Sequence, residues 1–368
     1  MKARCDFRGR LLFAMLLVAW ALAVEQTHAD FVFGPPENLG MPFSSPSGEG
    51  LNCVSADGRE MYFDSYRAGT FGNWDIWWVT RNATSEGWGE PTNLGPLVNT
   101  AYADACACIS ADGLELYFSS NRPGGCGADD LWMMRRPTTD DPWAEPVNLG
   151  ETVNSPDVDF APWITTDGLE LYFSSRRAGG FGSDDLWVAR RPTAGSPWEA
   201  PMNLGSTVNS PESDAFPFVT VDGLCLLFSG DWQAPVRTGG LGDVDIWMAR
   251  RPSTADPWGA PANVGAPITG PHLDCQPVVA PDGSTLYFCS ERPGGLGGIY
   301  GDIYQATITP VVDFNADGVV DIEDLRILID CWGQSDPSVD IGPMPWGDGI
   351  VDVNDLKVLI RHWGEVVP

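Results

Sequence analysis

With 43% hydrophobic residues, 16 Trp and 16 Phe in 368 residues, the chain has ample material for a core, which excludes a chain disordered by composition. Fifty acidic against 21 basic residues give a net charge of −29, a surface that repels nucleic acid and anionic membranes. Only three histidines are present, so a histidine-rich metal site is excluded.

The first segment reads as a leader. Lys2, Arg4, Arg8 and Arg10 precede an unbroken apolar run from Leu11 to Val24, and Thr27-His28-Ala29 offers a small-residue cleavage site. This pattern predicts a secretory signal peptide over 1–29 and a secreted, extracellular or cell-surface protein, with the periplasm as another destination. A membrane anchor is the competing reading, but the run is short for a span and no stop-transfer pattern follows it. No later run reaches membrane-spanning length. The leader takes four basic and two acidic residues with it, which leaves about −31 on the mature chain. Eight cysteines remain and allow 105 pairings, so connectivity is open. Cys53 and Cys108 hold equivalent places in two repeats and form a weak candidate pair.

From residue 30 to 309 the chain repeats itself. The phrase DGLELYFSS stands at Asp112–Ser120 and again at Asp167–Ser175. Aligned on Asp-Gly, the units start at Asp57, Asp112, Asp167, Asp222 and Asp282, with steps of 55, 55, 55 and 60. The long step carries an insertion near Asp231–Pro235. Each unit gives an apolar stretch, a DG turn, an alternating strand, a Gly-rich loop, a third strand and a closing PxNLG segment. Four short strands per unit of about fifty residues predict a propeller blade. Asn38, Asn93, Asn148, Asn203 and Asn263 mark the closing segments. The first precedes any DG turn and the last unit lacks one. The N-terminal PENLG is therefore predicted to complete the fifth blade and close the ring. The string SSNRPGG…DDLW…RRP…PW…PVNLG…VNS resembles the TolB-type, WD-repeat-like propeller repeats of secreted and periplasmic bacterial proteins. That resemblance covers about Phe31 to Thr309. It implies a platform for protein or glycan ligands and does not fix an activity.

Three sets of residues recur in every unit. Asp75, Asp130, Asp185, Asp245 and Asp302 are each preceded by an arginine across the Gly-rich loop: Arg67, Arg122, Arg177, Arg237 and Arg292. An Arg–Asp bridge across that loop is expected to fix each blade. Trp77, Trp132, Trp187, Trp247 and Tyr304 read as blade packing rather than sugar platforms. Glu49, Asp104, Asp159, Asp214 and Asp274 begin the strand expected to be innermost, where five carboxylates would ring one mouth of the channel. Such a ring predicts a cation or polyol site; the competing reading is that each acid binds backbone amides of its neighbouring blade. A glycosidase needs an acid and a base in different environments, and these acids are repeated nearly alike. His272 alone could serve a triad in the propeller, and it has no surrounding motif. A non-enzymatic propeller is expected, with a polysaccharide-active glycoside hydrolase as the alternative.

After Pro310 the pattern changes, and 310–368 reads as a second domain. In DFNADGVVDIED, Asp313, Asn315 and Asp317 take positions 1, 3 and 5 of a calcium loop. Gly318 supplies the turn, Val319 offers its carbonyl, and Asp321 and Asp324 take positions 9 and 12. A second copy lies 31 residues later: Asp348, Ile350, Asp352 and Asp355 match positions 5, 7, 9 and 12. Met344 and Trp346 cannot serve at 1 and 3, so a longer loop would bring Asp340 to position 1. The helices that follow are predicted to bury Leu325, Leu328, Ile329 and Trp332, and Leu356, Leu359, Ile360 and Trp363. Two loop–helix halves with Asp at position 12 resemble a type I dockerin over about Val312 to Glu365. The resemblance implies a small all-α module that binds Ca2+ and docks on a cohesin-type partner through Ile322, Glu323, Val353 and Asn354. It also brings an association with polysaccharide breakdown. The whole is thus expected to be mainly β, a five-bladed propeller followed by a calcium-binding helical module.

Overall fold

The computed structural model describes residues 31–230, 237–296, 301–336, 338–342, 347 and 349–367. The predicted leader, the insertion over 231–236 and Asp348 lie outside the described residues. Among the described residues, no helix is long and apolar enough to cross a membrane.

Five antiparallel sheets form the body, each beginning with an inner strand: Glu49–Val54, Asp104–Ile109, Asp159–Ile164, Asp214–Val219 and Asp274–Val279. In the first blade the order outward is Glu49–Val54, Glu60–Ser65, Asp75–Thr80 and the short outer strand Thr92–Asn93. Each inner strand touches the inner strands of both neighbouring blades, and the fifth touches the first, so the ring is closed. The predicted clasp is present. Glu37–Asn38 pairs with Asp302–Pro310 as the outer strand of the fifth blade, with Asn38 opposite Tyr304. Phe31–Phe33 extends the same sheet, with Phe31 opposite Pro310.

The sequence shows why the units fold this way. In each DG turn the glycine adopts a left-handed φ, +69° at Gly58 and +71° at Gly113, which costs a residue without Cβ little. The Asp57 carboxylate accepts from the Arg59 amide at 3.0 Å and locks the turn. The second strands were expected to alternate between a buried and an exposed face. Instead Leu116, Tyr117 and Phe118 are all fully buried, because neighbouring blades cover both faces of each sheet. Cys53 and Cys108 do come together across the first two blades, yet all eight cysteines among the described residues are free thiols.

The C-terminal module has its own core of Val312, Val320, Leu328, Val339, Ile341, Val351, Val358 and Leu359. Its described residues hold two helices, α1 (Ile322–Asp330) and α2 (Val353–Arg361), each capped by an aspartate with the reciprocal bond of a capping box. The apolar faces differ from expectation. Leu328 and Leu359 are buried, while Ile329, Trp332, Ile360 and Trp363 face solvent.

Candidate functional site

The five repeated acids do begin the inner strands, but they do not form a ring at the channel. Glu49, Asp104, Asp159, Asp214 and Asp274 are completely buried. Each is ion-paired with the arginine of its own blade: Arg67–Glu49 at 3.0 Å, Arg122–Asp104 at 2.6 Å, Arg177–Asp159 at 2.5 Å, Arg237–Asp214 at 2.9 Å and Arg292–Asp274 at 2.7 Å. Each also accepts the amide four residues upstream, as Asp214 does from Ser210 at 2.6 Å. All five accept a serine hydroxyl as well: Ser45 to Glu49, Ser120 to Asp104, Ser175 to Asp159, Ser210 to Asp214 and Ser290 to Asp274. Burial pushes Asp214 up to about 6 and raises Glu49 and Asp274. These carboxylates are blade rivets. The expected Arg–Asp bridge therefore has a different acid: Arg67 and its equivalents hold the inner-strand acids, not Asp75 and its equivalents. The same guanidiniums lie over Phe63 and Trp77, or over their counterparts in the other blades. Asp75 instead closes the Gly-rich loop, accepting the Phe71 amide and Asn93 Nδ2 at 2.8 Å each.

A second ring, which sequence reasoning missed, joins blade to blade. Two residues beyond four of the five acids, Cys106, Ala161, Phe216 and Gln276 take left-handed φ values of 51° to 57°. This is unusual for residues with a side chain, and it bends each inner strand through a bulge. The amide freed by the bulge crosses to the preceding blade. Ala161, Phe216 and Gln276 donate to Ser119, Ser174 and Ser229 Oγ at 2.8–3.0 Å. Cys106 donates to both oxygens of Asp64, at 3.0 and 3.1 Å. Leu51 closes the circle onto Gln276 Oε1 at 3.1 Å. One blade thus carries an aspartate where three carry serine.

Asp64 is the feature that sets the axial mouth apart. It is buried, holds Asn52 Nδ2 at 2.7 Å, and is pushed up to about 7 chiefly by burial, against the lowering effect of those donors. It lines a cavity of about 310 Å³ with Gly50, Trp74, Phe160, Arg176, Asp184 and Phe216, among others. Deeper in, beside Pro162, Pro217, Pro277 and Trp163, the space shrinks to about 20 Å³, room for a single water. At the mouth Arg176 Nε bonds Asp184 Oδ1 at 2.7 Å, and Ser213 Oγ bonds its other oxygen at 2.7 Å. Phe160 and Phe216 meet edge to face at 5.5 Å. The one signal in the sequence was divergence from the repeat. Trp74, Asp129, Asp184, Val244 and Gly301 occupy one position in the five blades, and Gly50, Ala105, Phe160, Ala215 and Cys275 another. The rivet positions are nearly invariant; the mouth positions change from blade to blade.

The C-terminal loops form a near-symmetric pair. Asp313 Oδ2 accepts the Gly318 amide at 2.8 Å, and Asp340 Oδ2 accepts the Gly349 amide at 2.6 Å. Asp324 accepts from Phe314 and Asp321, while Asp355 accepts from Ile341 and Asp352, all within 2.9 Å. Asp340 and Asp313 thus each accept the amide of a loop glycine. Each loop also pairs with the end of the other half: Val320 with Gly364 and Glu365, Val351 with Gly333 and Gln334. The donors are of the hard-oxygen kind calcium takes, and Gly318 has the left-handed φ of +89° that the tight turn needs. Among the described residues no three Asp, Glu, His or Cys side chains are gathered closely enough to hold a metal. Here the carboxylates are turned onto loop amides.

The predicted partner-facing residues lie on the first turns of the helices. Ile322 and Val353 are 57% and 49% exposed and line up with Ile329 and Trp332, and with Ile360 and Trp363. Glu323 pairs with Arg326, and Asn354 accepts from Lys357.

No family model matches the chain, and no curated protein matches it. Among solved structures it is similar to TolB from Acinetobacter baumannii, at 12% identity and TM-score 0.44 over 83% of this chain and 71% of that one. It is also similar to a thermostable family-43 glycoside hydrolase, at 13% identity and TM-score 0.45 over 73% of this chain and 91% of that one. A third similar structure is an α-L-arabinofuranosidase from Podospora anserina in complex with cellotriose, at 13% identity and TM-score 0.45 over 76% and 97%. At that level of likeness, it is the chain's own strand order that establishes the five-bladed propeller.

Proposed function

We propose that this chain is a secreted, non-enzymatic propeller that binds a ligand at its axial mouth and is tethered through a calcium-dependent, dockerin-like C-terminal module. The observation that carries the reading is the doubled apolar stripe. Ile322 and Ile329 on α1 with Trp332 just past its end recur as Val353 and Ile360 on α2 with Trp363 just past its end, 45–57% exposed in a module whose core is complete without them. Large apolar side chains left outside a finished core in two equivalent places suit docking on an apolar partner face, of the cohesin type. Glu323 and Asn354 flank the two stripes and supply their polar rims.

Calcium, when bound, supplies a charge that draws loop oxygens inward. Asp313, Asn315, Asp317, Asp321, Asp324 and the Val319 carbonyl would hold the first ion. Asp340, Asp348, Asp352, Asp355 and the Ile350 carbonyl would hold the second. The chain's own contribution is the pairing of each loop with the opposite helix end, so that ordering one loop supports the other. Calorimetric titration of the full chain is expected to show two calcium ions. Asp317→Ala should remove the first and lower the melting of the module, with the propeller transition in place. Calcium heat unchanged in Asp317→Ala would contradict the ligand assignment.

One observation favours a second reading, glycan hydrolysis at the mouth. Asp64 and Asp184 share a cavity but sit in unlike surroundings, one buried among neutral donors and one ion-paired, as an acid and a base would.

A further inference from the structure

We infer that the axial mouth bounded by Trp74, Phe160, Phe216, Asp64, Arg176 and Asp184 binds one ring of a neutral saccharide. This rests on the platform reading above and names the ligand class of that site.

Charge narrows the choice. Among the described residues, Arg176 is the one cation lining the mouth, and Asp184 pairs with it at 2.7 Å. An anionic ligand would meet no free positive charge and a strongly acidic protein. Nor is the mouth built for a cation. Asp64 already accepts from Asn52 and twice from Cys106, and both Asp184 oxygens are engaged by Arg176 and Ser213. What remains is a set of polar groups already paired with one another that can still share hydrogen bonds, beside three aromatic rings. Asn52 Oδ1, buried next to Asp64, has no hydrogen-bond partner among the described residues. A sugar ring matches such a lining, because its C–H face is apolar and its hydroxyls both donate and accept. The volume of about 310 Å³ lies at the small end of ligand sites, which run to about 1,000 Å³, and the prolines below give it a floor. A single ring therefore fits as the unit recognised, with the rest of a chain lying outside.

Placement within the ring supports a built site rather than a gap between blades. Trp74 and Asp184 occupy the same blade position in blades one and three, and Phe160 occupies the position that is glycine or alanine in three others. A five-fold scaffold with no ligand has no need of four different residue types at each of two mouth positions.

The test is titration calorimetry of the calcium-loaded full chain with neutral cello-, xylo-, arabino- and manno-oligosaccharides. One class is expected to bind, and Trp74→Ala and Phe160→Ala are each expected to weaken it at least tenfold. Phe181→Ala, on a Gly-rich loop outside the mouth, is expected to leave it unchanged. Both aromatic targets are partly exposed, and a melting curve for each variant checks the fold. Binding that survives both mouth variants would overturn this site while leaving a glycan-binding platform. No binding by any of the four classes would overturn the ligand class; the tether is decided separately by the calcium titration.

Discussion

Arg122→Met is expected to cost the propeller about 3–5 kcal/mol, because it leaves Asp104 charged, fully buried and unpaired. The arginine also donates to the Val98 carbonyl and lies over Phe118 and Trp132, so it ties the inner strand, the second strand and the incoming connection together. The partner change tests the cause. Asp104→Asn in the Arg122→Met background should recover much of the loss, since a neutral amide can keep the Thr100 amide and Ser120 hydroxyl without demanding a cation. Thermal melts report this directly. At roughly 2–4 °C per kcal/mol for domains of about 150–250 residues, the single variant should melt on the order of ten degrees lower. A loss below about 1 kcal/mol, or a double variant no better than the single, would mean that the rivet is not what holds the blade.

Asp64→Ser is expected to stabilise the protein at pH 8 and to do so far less at pH 4. The folded carboxyl titrates at about 7 against an ordinary value of 3.8, so the folded state binds this proton more tightly than the unfolded chain does. The stability linked to that proton is fully present below pH 3.8 and is lost as pH rises from there through 7. At pH 8 the wild type therefore carries the full cost of a buried charge, on the order of 3–5 kcal/mol. Serine restores the residue found at Ser119, Ser174 and Ser229, whose hydroxyls accept the same inter-blade amide. Melts of both proteins across pH 4–8 should diverge upward with pH. Parallel curves would remove the buried-charge account of Asp64. A residue that costs stability where its counterparts do not is what a binding site would keep.

The blade count, the ring closure through Asn38 and the two-part chain were legible because repeats and turn residues are local signals. The direction of the inner-strand acids was not. Period-two reasoning puts a strand's first residue and its third on one face, but the left-handed residue at Cys106 and its equivalents shifts the register between Ala105 and Cys108. The acid then goes into the blade, and the residues after it line the mouth. The mouth itself was legible only as difference. Asp64 among serines and Trp74 among aspartates are visible in the sequence, but only the fold shows that they share one cavity. On α1 and α2 the apolar arc is wider than the core it meets, so helical periodicity alone could not separate Leu328 from Ile329. The two loops share one local pattern, since Gly349 bonds Asp340 as Gly318 bonds Asp313.

The propeller is expected to bind neutral glycans without cutting them. The calcium-loaded protein should be incubated with insoluble and soluble neutral polysaccharides, following both retention of the protein and the appearance of new reducing ends. Retention without release is the predicted result. Release of reducing ends that disappears in Asp64→Asn or Asp184→Asn would contradict it and make the mouth the active site of a glycoside hydrolase.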